Sequence, residues 1–207
     1  MNSVSVGDTS VTPSKIVCIG KNYVQHIEEL GDKMPDSMVV FMKPNSAIGA
    51  DLQSSRQGEA LHYEGEIALM LRGGRYAAVA FGLDLTRREL QSGLKAAGLP
   101  WERAKAFDGA ALFSRFVALP ASLDSLEVQL CIDGVERQRG STSMMLYPPS
   151  VILEELSAFT TLEDGDIVMT GTPAGVGPVT PGSEFHGRIL SDGATLTEGR
   201  WRSLAMP

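Results

Sequence analysis

The sequence predicts a mainly β, α+β fold, a β-sandwich or roll with short helices at its margins. Short apolar or alternating runs, bounded by glycine, proline and Asp-Gly pairs, outnumber helical patterns. Most of these runs are joined locally by turns, whereas a parallel sheet would need a helix between successive strands. Helical periodicity is confined to three short segments. In a chain of 207 residues one large domain is the better expectation, and no repeat or low-complexity linker divides it. Residues 15–207 are expected to form that single domain, behind a loose polar tail at residues 1–14.

The elements follow in order. KIVCIG (15–20) is a short apolar strand ending in glycine. In KNYVQHIEELG, Asn22 and Gln25 have capping-box spacing and Gly31 is a natural stop, which predicts a helix over residues 23–30. VVFMKP (39–44) is a strand closed by Pro44, and HYEGEIALML (62–71) another, with YAAVAFGL (76–83) as its return across Gly73-Gly74. Thr86 and Glu89 form a second capping box, with Leu85 and Leu90 as hydrophobic staple; Leu90, Leu94 and Ala97 make the buried stripe and Gly98 ends the helix. VQLCI-DG-VERQR (128–139) is a hairpin around an Asp-Gly turn. Ser150 caps a helix to about Phe159, Asp164-Gly165 turns the chain into DIVMTGTP, and glycine-punctuated strand continues to Trp201.

Composition excludes several classes of function. A net charge of −7 without a basic block argues against nucleic acid or anionic membrane as main partner. No run of 18 apolar residues is present to span a bilayer. The first fourteen residues lack the basic and apolar regions of a signal peptide. Cys18 and Cys131 are too few for a disulfide framework, so a reducing, cytoplasmic setting is expected. With only His26, His62 and His186, a histidine-rich zinc site is not expected.

The chemistry centres on carboxylates. Glu64 and Glu66 lie two apart in an apolar run and share one strand face. Two like charges there mean either a solvated face or a bound cation. Asp84 ends an apolar strand just before a helix whose cap is assigned to Thr86, so capping does not account for it. Three carboxylates make a hard, all-oxygen set suited to Mg²⁺, Mn²⁺ or Ca²⁺. His26 and Glu29, at i and i+3, are either a tautomer-fixing pair or an exposed helix pair. Taken singly, Lys43, Arg88, Gln91 and Lys105 are surface residues. The glycines of TGTPAGVGP (170–178) suggest close backbone approach, and no Gly-Lys-Ser/Thr follows to make a phosphate loop.

Taken together, KIVCIGKNYVQHIEELG, VVFMKP, HYEGEIALML, GLDLTRRELQ, GLPWERAKAFD, DGVERQRGSTSMM and LEDGDIVMTGTPAGVGP resemble, in order, the small single-domain branch of the fumarylacetoacetate hydrolase family. The resemblance implies a mixed β-sandwich roll, normally a homodimer. It implies Glu64, Glu66 and Asp84 as ligands of a divalent cation, usually Mg²⁺. His26 and Glu29 become a water-activating dyad on a lid helix, and Lys105 faces the reacting carbonyl and enolate. Arg88, Gln91 and Thr172 hold the acid end of a small 2-oxo acid, with Lys43 a basic residue near the lid.

Only seventeen residues separate Glu66 from Asp84, a shorter connection than is usual in the family, and Gly65 stands between the two glutamates. Three reactions fit the resemblance. Hydrolysis of an acylpyruvate such as fumarylpyruvate or acetylpyruvate, with pyruvate enolate leaving, is favoured here because both members of the dyad are present. Oxaloacetate decarboxylation and keto–enol tautomerisation use the same residues. A non-catalytic cation-binding protein is the reading from another class.

Overall fold

Alternation along Gly65–Arg72 divides the interior in two: Ile67 and Leu69 enter one core, Ala68 and Met70 another. In the computed structural model, which describes residues 1–205, this strand lies inside a seven-stranded sheet. It pairs antiparallel with Arg75–Asp84 on one side and Ile167–Met169 on the other. Ile167–Met169 runs parallel to Lys15–Gly20, which pairs in turn with Val39–Pro44. Ala111–Phe113 and Val117–Ala118 pair with the far side of Arg75–Asp84. The Ile67–Leu69 face, with Val79, Phe81 and Leu83, packs on a four-stranded sheet through Val128, Leu130, Phe185 and Ile189. That sheet contains the predicted hairpin, Leu126–Ile132 and Val135–Ser141, turned by Asp133 and Gly134 at φ 51° and 79°. Positive φ at both turn residues is what an Asp-Gly hairpin demands.

Among the described residues four α-helices lie at the margins: α1 (Val24–Glu29), α2 (Arg88–Ala96), α3 (Glu102–Lys105) and α4 (Pro149–Phe159). Their caps differ from the predicted ones. Tyr23, Arg87 and Pro148 are the N-cap residues of α1, α2 and α4, and none makes a side-chain cap bond. Asn22 turns inward instead, donating to the carbonyls of Tyr147 and Thr170 and accepting from Tyr147 N–H. Thr86 is buried against Lys105. The first turn of α2 is satisfied from a distance, because Glu59 Oε1 accepts from Leu90 N–H at 3.0 Å. Pro149 takes the first position of α4, which puts Ser150 inside the first turn. On α2, Leu90 and Leu94 are only half-buried and Ala97 is exposed; Gln91 is the buried residue. This helix presents a polar inner face.

Two further expectations are corrected. The N-terminal segment is a hairpin, Val4–Val6 with Thr9–Val11, because its alternating valines cover the core around Phe116, and Phe116 N–H donates to Ser5 O. The run at 62–71 is not one strand. Glu59–Tyr63 belongs to a small separate sheet with Ser55–Arg56, Thr86–Arg87 and Gly177–Pro178, and Glu64 sits at the switch between the sheets.

Asp166 anchors the start of the Lys15–Gly20 strand. Its side chain is fully buried and accepts from Ser14 N–H and Oγ, Lys15 N–H and Nζ, and Glu163 N–H. Burial pushes its carboxyl up, but the Lys15 and Ser14 bonds outweigh this and hold it below the usual range. Asp166→Asn should therefore cost about 2–4 kcal/mol in urea unfolding, the scale of lost hydrogen bonds to a buried charge. A depressed folded-state value places this stabilisation above the ordinary aspartate value of about 3.9 and removes it as pH falls further. Acid titration of stability should show that loss in the native protein and not in Asp166→Asn.

Candidate active site

The pairing that builds the sheet also assembles the carboxylates. Glu66 lies opposite Gly82, and Asp84 N–H donates to Glu64 O at 2.9 Å, so the two strand ends bring Glu64 and Asp84 side by side. One oxygen from each of Glu64, Glu66 and Asp84 falls within 4.8 Å of the others, and all three residues are buried. Three cations from three elements surround them. Lys105 Nζ of α3 donates to Glu64 Oε2 and Asp84 Oδ2 at 2.8 Å and to Thr86 Oγ1 at 2.6 Å. Arg88 of α2 pairs with Glu64 Oε1, and Lys43 Nζ of the edge strand lies 2.7 Å from Asp84 Oδ1. Lys43 and Lys105, each an ordinary surface lysine when read alone, are buried counter-ions.

Electrostatics separate the two glutamates. Burial alone would raise Glu64, but Lys105 and then Arg88 hold it well below the usual carboxylate range. Glu66 is pushed up by burial and by the nearby Asp84 and Glu64 charges, with Gly171 N–H, 2.7 Å from its Oε2, opposing the rise. Burial pulls Lys105 down, yet Asp84 and Glu64 raise it on balance and keep it an ammonium.

The glycine loop makes the predicted close approach. Gly171, at φ +103°, has no room for a Cβ beside Asn22 and delivers its N–H to Glu66. At Gly175 (φ +102°) a Cβ would fall 1.9 Å from Arg137 O, and the N–H donates to Glu29 Oε1 at 2.9 Å. Glu29 Oε2 accepts from His26 Nδ1 at 3.2 Å, which orients a buried imidazole with its other nitrogen free to accept a proton. Gln138 fastens the loop to the strand: Gly65 N–H donates to its Oε1, and its Nε2 donates to Thr172 Oγ1 and Pro173 O. Arg88 Nη1 donates to Gln91 Oε1, while its buried Nε has no partner among the described residues.

His26, Glu64, Glu66, Asp84, Arg88, Gln91, Lys105 and Thr172 line one cavity. Glu29 stands behind His26, and Lys43 is fully buried, with two of its three donors on the Lys105 and Ala110 carbonyls and its ammonium 2.7 Å from Asp84 Oδ1. Asn22 shows in the sequence only as a helix cap, and Gln138, Asp32 and Lys95 carry no motif signal. Gln138 and Gly140 alone hint at a role, as the buried positions in an otherwise exposed stretch of hairpin.

The residues fit a divalent cation. The donor set is hard oxygen, one oxygen of each carboxylate lies within 4.8 Å of the others, and an ammonium already bridges two of the three carboxylates.

Residues 15–199 match the family described as fumarylacetoacetate (FAA) hydrolase C-terminal. The chain is 36% identical over 202 residues to the oxaloacetate tautomerase YcgM of Escherichia coli (strain K12), covering 89% of this chain and 91% of that protein. It is 33% identical over 188 residues to the mitochondrial oxaloacetate decarboxylase of Dictyostelium discoideum, with 83% and 86% covered. It matches the crystal structure of fumarylpyruvate hydrolase from Pseudomonas aeruginosa in complex with Mn²⁺ and pyruvate at a TM-score of 0.89 and 28% identity, covering 99% of this chain and 96% of that one.

Two substitutions separate charge balance from cation binding. Asp84→Asn leaves two buried ammoniums under-compensated and should cost about 3–5 kcal/mol in the metal-free protein. Glu66→Gln keeps an acceptor for Gly171 and removes an unfavourable charge, so metal-free stability should stay within about 1 kcal/mol of the native value. In both, the rise in melting temperature on adding Mn²⁺ should disappear.

Proposed function

The chain belongs to the fumarylacetoacetate hydrolase C-terminal family, and from that premise we propose that it is a divalent-cation-dependent oxaloacetate keto–enol tautomerase. The observation that carries the reading is the convergence of the His26–Glu29 pair and Lys105 with three buried carboxylates in one cavity. The likeness to the E. coli tautomerase over nine-tenths of that protein supports the choice of reaction. It reverses the order that the motifs suggest by themselves, where the dyad places hydrolysis first.

Mg²⁺ held by Glu64, Glu66 and Asp84 would supply Lewis-acid polarisation of the 2-oxo group. Arg88, through its unpaired Nε, and Gln91 bind the acid end of the substrate beside it. His26, oriented by Glu29, removes a proton from carbon 3 and returns one there in the reverse direction. Lys105 donates to the oxygen on which negative charge develops. Two unpaired cysteines, one of them buried, suit the cytoplasmic setting included in this reading.

A second reading, acylpyruvate hydrolysis, is favoured by the anchoring of Glu29 to Gly175, which fixes a base able to activate water. His26 would take a proton from water, the hydroxide would attack the 4-carbonyl, and the C–C bond would break with pyruvate enolate leaving. The likeness to a fumarylpyruvate hydrolase fold supports it. Decarboxylation releases CO₂ from the same substrate as tautomerisation and needs no activated water.

A panel of oxaloacetate, acetylpyruvate and fumarylpyruvate with Mg²⁺ separates these. Enol absorbance should give tautomerisation the highest kcat/KM, and His26→Asn should lower it about 10²–10⁴-fold. Oxaloacetate decarboxylation should fall less. Faster acylpyruvate cleavage would install the second reading, and full activity in a chelator would remove the cation from both.

A further inference from the structure

Two ammoniums and one carboxylate meet in the lining of the cavity, and none has a part in the chemistry above. Lys95 Nζ of α2 donates to Asp32 Oδ1 at 2.9 Å and Oδ2 at 2.7 Å, and Lys21 Nζ lies 3.3 Å from Asp32 Oδ2. All three residues share the cavity with Glu64, Arg88 and Gln91. Their side chains are only 29%, 19% and 19% exposed for Lys95, Asp32 and Lys21, so the cluster is largely withdrawn from water. Two positive charges against one negative leave a net charge of one at a place where screening is weak.

Spacing on α2 gives this charge a direction. Arg88, Gln91 and Lys95 stand at i, i+3 and i+7, one stripe of the helix facing the cavity. Along the axis Lys95 is about 6 Å from Gln91 and about 10 Å from Arg88. A small acid held at Arg88 and Gln91 by one carboxylate and extended along the helix therefore brings its other end to Lys95. Lys21 approaches from the opposite wall, from a left-handed turn (φ 57°) between Lys15–Gly20 and α1. Each ammonium has three donors, and Lys95 uses two of its own on Asp32. Asp32 thus spaces the two lysines without exhausting them.

We propose that Lys21 and Lys95 form a subsite for the far carboxylate of a 2-oxo diacid, and that this pair selects diacids over monoacids of the same length. The proposal rests on the preceding reading in one respect, the placement of the near acid end at Arg88 and Gln91.

Calorimetric titration of the Mg²⁺-loaded protein tests it without turnover, using 2-oxoglutarate against 2-oxopentanoate and 2-oxoadipate against 2-oxohexanoate. The native protein should bind the diacid about tenfold tighter or more for at least one length, the effect of one charge-assisted contact. The Lys21→Met/Lys95→Met double variant should lose that preference, and the milder Lys95→Gln should reduce it. Asp32→Asn should keep it, because the lysines remain. Absence of preference at both lengths, or preference surviving the double variant, would overturn the subsite. So would Asp32→Asn behaving like the double variant, which would make the cluster a strut joining α1 to α2. Preference for diacids in a protein that turns over neither oxaloacetate nor an acylpyruvate would overturn the reaction assignment alone.

Discussion

Three buried carboxylates can coexist here only because three buried or half-buried cations neutralise them. Removing an ion from water costs several kcal/mol even after relaxation. An opposite charge at about 4 Å returns about 4 kcal/mol at an effective dielectric near 20. Each carboxylate in contact with a cation is therefore close to break-even, and one without a cation is not. Lys43 arrives on an edge strand, Lys105 on α3 and Arg88 on α2, so charge balance also fixes where three separate elements sit. Glu66 has the weakest local compensation, chiefly Gly171 N–H, and its carboxyl is correspondingly pushed up.

The same arrangement governs access. The free volume inside the cavity is about 40 Å³. That is room for a few water molecules, at about 10–15 Å³ of such space each, and too little for a four-carbon acid. Entry requires α1, or the side chains beneath it, to move. That helix has six residues, and its C-terminal end is held by the exposed Glu29–Gly175 bond. The N-terminal side is anchored more firmly, by the three Asn22 bonds and the buried Tyr23 and Ile27, so movement is easiest at the C-terminal end. The Gly171–Glu66 bond and the two-sided use of Gln138 keep the opposite wall fixed meanwhile.

Much of the fold was legible because its signals are local. The Asp-Gly hairpin, the Gly65–Arg72 and Arg75–Asp84 pair, and the glycine loop each follow from neighbouring residues. Cap assignments failed where a long-range partner offered more: Asn22 bonds across to residues 147 and 170, and Glu59 serves α2 from another strand. The elimination that singled out Asp84 rested on Thr86 as a cap. Thr86 instead accepts from Lys105, and Asp84 owes its importance to that lysine and Lys43. Buried lysines are hard to read from sequence because burial is favourable only once folding supplies the carboxylates. The Lys21–Asp32–Lys95 cluster spans three segments and leaves no local pattern at all.

A divalent cation bound by Glu64, Glu66 and Asp84 would compete with the Lys105 ammonium for the oxygens of Glu64 and Asp84 that it now bridges. Anomalous diffraction from a Mn²⁺-soaked crystal tests this most directly. The account predicts one strong peak within ligand distance of Glu64, Glu66 and Asp84, with the Lys105 ammonium displaced from Glu64 Oε2 and Asp84 Oδ2. A peak elsewhere, or Lys105 still bridging both carboxylates at full Mn²⁺ occupancy, would contradict it.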